Sequence, residues 1–288
     1  MSRPPTTQLL YDPRKGSEAI RLTVLAFAPE PVEPLRTNYF SIYVAGQPVD
    51  AVVQAAVTTT LERLLGLQVD MTVFNRFAAQ HRRLKPLVRR FRGMKPPRFA
   101  TVFEGAINAI ACQQMSLTLG IHLLNRLTMT YGVAVNEPGG VFHAFPRPID
   151  LAGLTPAKLR QMGFSLQKGR AIIELAKSIA EGQLNLESFA DLSDDEAETR
   201  LRALRGLGRW SAEYVLLRGL GRTHVFPGDD VGARKNLERW LRLANPLDYE
   251  GVQQVLSQWA PFAGLIYFHL LLATLAEAGY VSGTSARV

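Results

Sequence analysis

The residues best suited to chemistry lie close together in the last third of the chain. Gly206 and Gly208 fall between two predicted helices, and two neighbouring acids, Asp229 and Asp230, follow them. Two glycines at this spacing allow a tight turn that leaves backbone N–H groups uncovered. Because a helix begins directly after the turn, its N-terminal N–H groups add to a site suited to a phosphate. The alternative is a plain turn between helices, with glycine as a C-cap.

The spacing between the turn and the acids carries more information than the acids themselves. Gly208 and Asp230 are 22 residues apart, which leaves room for one helix and one loop. The chain can therefore return and bring a carboxylate near whatever the turn holds. Aspartate is also a favoured N-cap, so one of the two acids is expected to cap the helix that follows.

The charge of the chain favours an anionic partner. Its 288 residues carry a formal net charge of +8, with a pI of about 9.8. Nucleic acid is therefore the first candidate partner and an anionic membrane the second. Many basic proteins bind neither, so charge alone leaves the choice open. A hydrophobic content of 47% argues against a disordered chain.

The scarcity of metal ligands disfavours metal-dependent chemistry. Cys112 is the single cysteine, which excludes a disulfide scaffold, a zinc–cysteine site and a cysteine-ligated iron–sulfur cluster within one chain. The five histidines are scattered, with no pair at ligand spacing. Cys112 itself lies in an apolar helical stretch and is expected to be a small core residue.

Two features of the sequence bear on its location. The N-terminus lacks the basic-then-apolar pattern of a signal peptide, which predicts a reducing, cytoplasmic setting. The most apolar run, Pro261–Ala278, contains Gly264, His269 and Glu277. We expect this run to be a buried core helix and not a membrane span.

The first part of the chain predicts a small mixed α/β domain. Apolar, partly β-branched patterns over Ala19–Ala28, Tyr39–Ala45 and Val49–Val57 predict strands of an antiparallel sheet. Leu61–Leu67 and Val73–Ala79 predict short helices. This domain is expected to cover residues 1–95.

A basic stretch marks the expected domain boundary. Between Arg82 and Arg98 there are eight Lys or Arg residues and no acid. Pro96-Pro97 breaks any helix at this point, and we expect the second domain to cover residues 96–288. The stretch is either a flank that contacts an anionic partner or a solvated face.

The remainder of the chain predicts a helical domain, so the fold class is mainly α. Apolar spacing, capping residues and glycine stops divide this part into successive helices. The predicted helices are Phe103–Cys112, Leu117–Tyr131, one that starts at Thr155-Pro156, Leu166–Glu181, a capped helix from Ser193 to near Leu204, Trp210–Leu220, Val231–Leu243, Tyr249–Gln258 and Pro261–Ala278.

The hairpin at residues 204–210, followed by an aspartate, resembles the helix-hairpin-helix DNA glycosylases. Further stretches between Phe99 and Ala278 are similar to the type II 3-methyladenine DNA glycosylases of bacteria. They are Gln113–Ser116, Phe145–Pro148 with Leu151, Leu166–Ala176 with Lys168 and Arg170, and Trp259–Phe262. The first 95 residues resemble that family weakly.

The resemblance implies that Asp230 is the catalytic acid and that Asp229 takes the capping role. Lyase members of the family carry a lysine at the position of Trp210, and its amine forms a Schiff base with the sugar. An indole cannot do so, which implies a monofunctional enzyme that uses water. Lys235 lies five residues past Asp230, but helical geometry turns it away, so it is expected on the surface or at a phosphate.

The resemblance also implies a binding site for a flipped base. Trp210 and Tyr214 share one helix face and match aromatic residues that line the base pocket, although both rings could instead be core. Gln114 matches the residue that fills the duplex after base flipping, where the relative uses an apolar side chain. Leu271 stands where the relative has a pocket tryptophan, so the detailed base preference is not carried over.

The hairpin is expected to bind DNA and, as is common in the family, a monovalent cation. The DNA-binding residues implied are Arg205, Gly206, Gly208, Arg209 and Ser211. The backbone carbonyls of Arg202, Leu204 and Leu207 would hold Na⁺ or K⁺, and no other cofactor is expected.

The function implied is excision of alkylated purines, such as 3-methyladenine, from duplex DNA by a monomeric, nucleoid-associated base excision repair enzyme. No membrane partner is expected. Two alternatives stay open: a bifunctional glycosylase/lyase for oxidised bases, which needs a pocket lysine, and a non-catalytic helix-hairpin-helix DNA-binding module, which needs neither Asp230 nor a base pocket.

Overall fold

The computed structural model describes residues 7–10, 21–25, 41–45, 51–137 and 140–281. Three short strands open it: β1 (Thr7–Leu10), β2 (Arg21–Leu25) and β3 (Ser41–Ala45). Their backbones pair antiparallel in the order β1-β2-β3. Strands β2 and β3 lie within two of the predicted strand stretches, while a separate N-terminal α/β domain stays a prediction.

The expected strand over Val49–Val57 is wrong, because this segment belongs to helix α1 (Ala51–Leu64). Val57, Leu61 and Leu64 recur at helical spacing, and Leu61 is buried. A helix therefore gathers these apolar side chains on one face, which a strand would not do. The helix expected from Leu61 is the last part of α1.

Most of the basic stretch lies at the surface. Helix α2 (Met71–Gln80), capped by Asp70, confirms the helix expected over Val73–Ala79. Helix α3 (Leu84–Arg90) follows and buries its leucines, while Arg89 and Arg90 are exposed. Contact of the basic stretch with DNA stays a prediction.

The rest of the described chain is almost entirely helical, as expected. A small hairpin, β4 (Ala134–Glu137) and β5 (Gly140–His143), was not expected from the sequence. The helices are α4 (Val102–Cys112), α5 (Leu117–Tyr131), α6 (Pro148–Ala152), α7 (Pro156–Gln161), α8 (Leu166–Ala180), α9 (Asp194–Ala203), α10 (Arg209–Arg218), α11 (Val231–Leu241), α12 (Tyr249–Leu256) and α13 (Ala263–Glu277), with 3-10 turns at Glu187–Asp191 and Ser257–Trp259.

Helix α10 lies between two hydrophobic cores. The first core is built by helices α4 to α10, and the second by α2, α3 and α11 to α13. Val215 and Leu216 of α10 pack into the first core, whereas Leu217 packs into the second. Packing on both sides fixes the position of α10, the helix that the glycine turn enters.

The apolar run near the C-terminus forms a core helix, as expected. Residues 264–270 of α13 are buried. No single helix in the described part of the chain is long and apolar enough to cross a membrane. The pair Tyr249–Trp259 and Ala263–Glu277, bent by 103°, meets that test by length and composition only.

Candidate active site and nucleic-acid interface

The two glycines of the hairpin have different structural roles. Helix α9 ends at Ala203, and the chain turns through Gly206, whose φ of +84° is a left-handed conformation suited to glycine. A Cβ on Gly206 would lie 2.6 Å from the Cβ of Ala171. Gly208 is the N-cap of α10 with an ordinary φ of −87°, and a Cβ there would meet no atom within 4 Å. Gly206 therefore provides the left-handed conformation that the turn needs, and the absence of a side chain at Gly208 leaves the outer side of the turn open.

The loop between α4 and α5, which contains Gln113, is hydrogen-bonded to the hairpin. The Gln113 side-chain amide donates to the Gly206 carbonyl at 2.7 Å and to the Ser211 hydroxyl at 2.6 Å. Lys168 in turn donates to the carbonyls of Gln113, at 2.7 Å, and Ala111, at 2.9 Å. Ser211 is 1% exposed and its hydroxyl accepts from Gln113, so its side chain is not free to bind a phosphate.

The two arginines of the hairpin have different partners. Arg205 forms an ion pair with Glu174 at 2.8 Å and is half exposed. Arg209 forms two hydrogen bonds to the carboxylate of Asp229, at 2.7 and 3.2 Å, which raise the pKa of its guanidinium. The same guanidinium lies 3.7 Å from the ring centre of Tyr249, a cation–π contact. Arg209 thus links the hairpin to the loop that carries the acids.

Asp230 caps helix α11, and the expectation that Asp229 would do so is wrong. One oxygen of Asp230 accepts the backbone N–H of Ala233 at 2.8 Å. Its other oxygen lies 3.4 Å from the Trp210 indole nitrogen and 3.3 Å from the Tyr267 hydroxyl, both donors. Asp229 is instead turned toward Arg209. Capping uses one oxygen only, so the same carboxylate also faces the aromatic side chains.

Trp210 also stacks on a second aromatic residue of α10, Tyr214. The rings of Trp210 and Tyr214 are 5.5 Å apart at 26°. The Tyr214 hydroxyl donates to the side-chain oxygen of Asn108 at 3.1 Å, and burial raises the Tyr214 pKa to about 12. Tyr214 therefore stays neutral near physiological pH. An apolar, aromatic wall beside a carboxylate can hold a flat, electron-poor ring.

Gln114 stands out by its backbone. Its φ of 53° is one of two left-handed conformations at non-glycine residues in the described chain. The residue is exposed and precedes α5, which Ser116 caps. Unusual backbone conformations of this kind concentrate at functional positions. The structure thus presents Gln114 outward beside the hairpin that Gln113 supports.

Two further candidate residues lie on α11 and α13. Lys235 is exposed on α11. Leu271 is partly buried in α13, four residues after Tyr267. The described residues include no group of three His, Cys, Asp or Glu side chains placed to hold a metal ion.

Sequence reasoning missed several residues that surround Asp230. Tyr267 lies within the apolar run of α13, where nothing marks one tyrosine as a donor to a distant acid. Glu213 is 4% exposed and accepts hydrogen bonds from the Gly228 backbone and the Tyr249 hydroxyl. The available signal for Glu213 was its position between the apolar residues of α10.

The comparisons with known proteins agree with this geometry. Residues 107–262 match the model of the HhH-GPD superfamily base excision DNA repair proteins. A DNA-3-methyladenine glycosylase of Bacillus subtilis is 25% identical in sequence, and the aligned part covers 78% of this chain and 74% of the length of that relative. Among other curated relatives, the aligned part covers 58% of one and 42% of another.

Solved structures of similar proteins point the same way. A 3-methyladenine DNA glycosylase from Archaeoglobus fulgidus superposes with a TM-score of 0.77 at 29% identity, covering 93% of this chain and 85% of its own. The Schizosaccharomyces pombe 3-methyladenine DNA glycosylase in complex with abasic DNA gives a TM-score of 0.58 at 25% identity, covering 69% and 95%. Since the family model matches more than half of the chain, the protein belongs to the HhH-GPD superfamily of base excision DNA repair proteins.

Proposed function

We propose that this protein is a monofunctional DNA glycosylase that excises alkylated purines, such as 3-methyladenine, from duplex DNA in base excision repair. The observation that carries the proposal is the carboxylate of Asp230 facing the Trp210–Tyr214 stack, 22 residues after Gly208 in the hairpin. The names of the relatives, DNA-3-methyladenine glycosylases, support the same substrate class.

The aromatic pair suits the base of a damaged nucleotide. The enzyme flips the nucleotide out of the duplex, at a cost of a few kcal/mol in stacking energy. The faces of Trp210 and Tyr214 then favour an alkylated purine, because its positive charge is attracted to electron-rich rings. The neutral Tyr214 hydroxyl already donates to Asn108, so base selection relies on stacking more than on this hydroxyl.

Asp230 performs the chemistry in this proposal. A cationic purine is a good leaving group: the N-glycosidic bond breaks, its electron pair leaves with the base, and the base becomes neutral. The carboxylate of Asp230 stabilises the positive charge that develops on the sugar. It also orients or deprotonates the water that adds to C1′. The donors from Trp210 and Tyr267 hold its free oxygen in place.

The hairpin and the loop beside it grip the strand. Backbone N–H groups of Gly206, Gly208 and Ser211, with the positive charge of Arg205 and Arg209, contact phosphates without reading sequence. Gln114 fills the space that the flipped base leaves. Its exposure and its left-handed backbone support that role.

Several finer points belong to the same proposal. The carbonyls of Arg202, Leu204 and Leu207 hold Na⁺ or K⁺, which would add positive charge near a phosphate. The Leu204 carbonyl accepts one hydrogen bond, from Leu207 at 3.1 Å, and keeps a second lone pair for a cation. An N-terminal α/β domain over residues 1–95, a monomeric state and a cytoplasmic, nucleoid-associated location also stay predictions.

The bifunctional alternative needs a lysine amine near the sugar. Trp210 stands at the position of the family's lysine, and Lys235 is exposed on α11. Lys168 is held by two backbone carbonyls, and burial lowers its pKa. Its ammonium is bound to the loop that ends helix α4, beside the hairpin, and these two hydrogen bonds give it a structural task in place of a nucleophilic one.

The test is incubation of the protein with methylated duplex DNA, followed by analysis of the released bases and of the strand. Alkylated purines should be released, and the abasic strand should stay intact until it is heated in alkali. Borohydride should trap no covalent enzyme–DNA complex, because no Schiff base forms. Efficient trapping would establish the lyase alternative, and DNA binding without base release would favour the non-catalytic module.

A further inference from the structure

Glu213 is the only acid among the buried residues of the described chain. It lies in the middle of α10, three residues after Trp210. A buried carboxylate is costly unless hydrogen bonds compensate it. Both of its oxygens are in use, and both partners belong to segments that surround Asp230.

The first partner is the loop that carries the acids. One Glu213 oxygen accepts the backbone N–H of Gly228 at 3.1 Å, two residues before Asp230. The Asp230 N–H in turn donates to the carbonyl of Pro227 at 2.9 Å. The backbone of this loop is therefore tied to α10 immediately before the residue that caps α11.

The second partner is Tyr249, whose hydroxyl donates to the other Glu213 oxygen at 2.6 Å. The ring of Tyr249 packs against Gly228 so closely that a Cβ there would lie 2.7 Å from a ring carbon. Arg209 lies over the same ring and pairs with Asp229. These contacts hold the loop on its two sides.

We propose that Glu213 is a positioning residue for the proposed reaction: through Gly228 and Tyr249 it fixes the loop that presents Asp230 to the sugar. The inference rests on the proposed function. Glu213 itself does not face the Trp210–Tyr214 stack through any hydrogen bond in the described chain. It acts by keeping the Asp230 carboxylate at a fixed distance from the reacting carbon, because a small displacement of this carboxylate would strongly lower the reaction rate.

Three variants separate this role from a general effect on folding. Glu213→Ala removes both contacts and leaves the Gly228 N–H without its acceptor. Glu213→Gln keeps both, because an amide oxygen can accept from Gly228 and the amide nitrogen can donate to Tyr249. Glu104→Ala is the matched control, since Glu104 is a partly buried acid on α4 whose pKa burial raises to about 7, as it does for Glu213.

The measurement is single-turnover release of 3-methyladenine from duplex DNA with enzyme in excess. Glu213→Ala should lower the rate constant about 10- to 100-fold at full amplitude, while the Kd for undamaged duplex stays within about twofold. Glu213→Gln should recover most of the rate, and Glu104→Ala should keep the rate constant of the unmodified protein. Hydrogen exchange at Gly228 should accelerate in Glu213→Ala alone.

The outcomes distinguish the two proposals. An unchanged rate constant in Glu213→Ala, or a loss of amplitude alone, would overturn the positioning role while leaving the proposed function intact. A Glu213→Gln variant as slow as Glu213→Ala would also overturn it, because charge and not hydrogen bonding would then matter. An unmodified protein that releases no base would overturn both.

Discussion

The glycine hairpin and the acidic loop are both short segments that lead into a helix, yet they are built in opposite ways. Around Gly208 no atom lies within 4 Å of where a Cβ would be, so the entry to α10 is open. The Gly228–Asp230 segment, in contrast, is held by Glu213, Tyr249 and Arg209. The outer side of the hairpin at Gly208 is clear of side chains, whereas the acidic loop is surrounded by them.

This difference matches two different physical tasks. A phosphate needs backbone N–H groups that are free and reachable. A carboxylate that acts on a developing charge must already be in place, because reorganisation during the reaction raises the barrier. Changes in the hairpin should therefore alter DNA binding, and changes around the acidic loop should alter the rate of base release.

The largest expected effect is that of Asp230→Asn. It should lower base release on the order of 100-fold or more, because the developing charge on the sugar loses its stabiliser. Duplex DNA binding should change little. Asp229→Asn is the matched control: its amide oxygen can still accept from Arg209, so the loop stays tied to the hairpin and most of the activity should remain. If Asp229→Asn were inactive and Asp230→Asn active, the assignment of the two acids would be reversed.

A second effect should appear in stability as a function of pH. Burial, as the largest cause, raises the pKa of Glu213 from 4.5 to about 7. The native state therefore keeps a proton that the unfolded chain loses, and the free energy of unfolding falls as pH rises from about 4.5 to 7. The loss is on the order of 3 kcal/mol at most.

Denaturant unfolding of Glu213→Gln at pH 5 and pH 8 measures this contribution. The variant should lose less stability than the unmodified protein between the two values. Glu104→Gln should show a change of the same sign, since burial raises the pKa of Glu104 as well. Equal pH dependence in Glu213→Gln and the unmodified protein would contradict a raised pKa at Glu213.

The hairpin side of the comparison is tested by Gly208→Val. The backbone at this position suits valine and space is available, so the protein should fold normally. The side chain should block close approach of a phosphate and weaken binding of damaged and undamaged duplexes alike, by about tenfold, roughly 1.4 kcal/mol. Fluorescence anisotropy with both duplexes measures the change.

Gly153→Val is the control for that substitution. Gly153 also has an ordinary φ and no atom within 4 Å of a Cβ, but it ends α6, outside the hairpin. The Gly153→Val protein should therefore bind DNA as tightly as the unmodified protein. Gly206 is a poor test, because its positive φ and its contact with Ala171 would destabilise the fold itself. Normal binding by a folded Gly208→Val protein would contradict the role of the open turn.

The smallest expected effect is that of Arg205→Ala. Loss of one phosphate contact should weaken DNA binding by about threefold and reduce the slope of log K against log salt by about 1. Arg239 provides a control, since it is a similarly exposed arginine paired with Glu277. A salt series on both variants should show the reduced slope in Arg205→Ala only.

The helical part of the fold was predictable because its signals are local. The capped helix expected from Ser193 is α9, where Ser193 and Glu196 form a capping box, and Gly182, with a positive φ, follows the end of α8. The strand expected over Val49–Val57 failed because its valines fit both an alternating and a helical pattern. Leu61, one helical turn after Val57, is buried, and this burial favours the helix.

The candidate site was predictable only in part. The hairpin and its following aspartate could be recognised from spacing, but two adjacent acids do not reveal which of them caps α11. The choice between them depends on Arg209, whose guanidinium pairs with Asp229 and leaves Asp230 to cap the helix. Glu213 was missed because its partners lie 15 and 36 positions away in sequence. A charged residue within an apolar helix was the only local indication.

The bonds from Gln113 to Gly206 and Ser211 have a mechanical consequence. The loop that presents Gln114 cannot slide along the hairpin without breaking both hydrogen bonds, so the two segments move together as one rigid unit. The offset between the Gln114 side chain and the backbone N–H groups of the hairpin is then a length fixed by the protein. In the proposed function, this fixed length sets how many phosphates separate the flipped nucleotide from the phosphate bound by the hairpin.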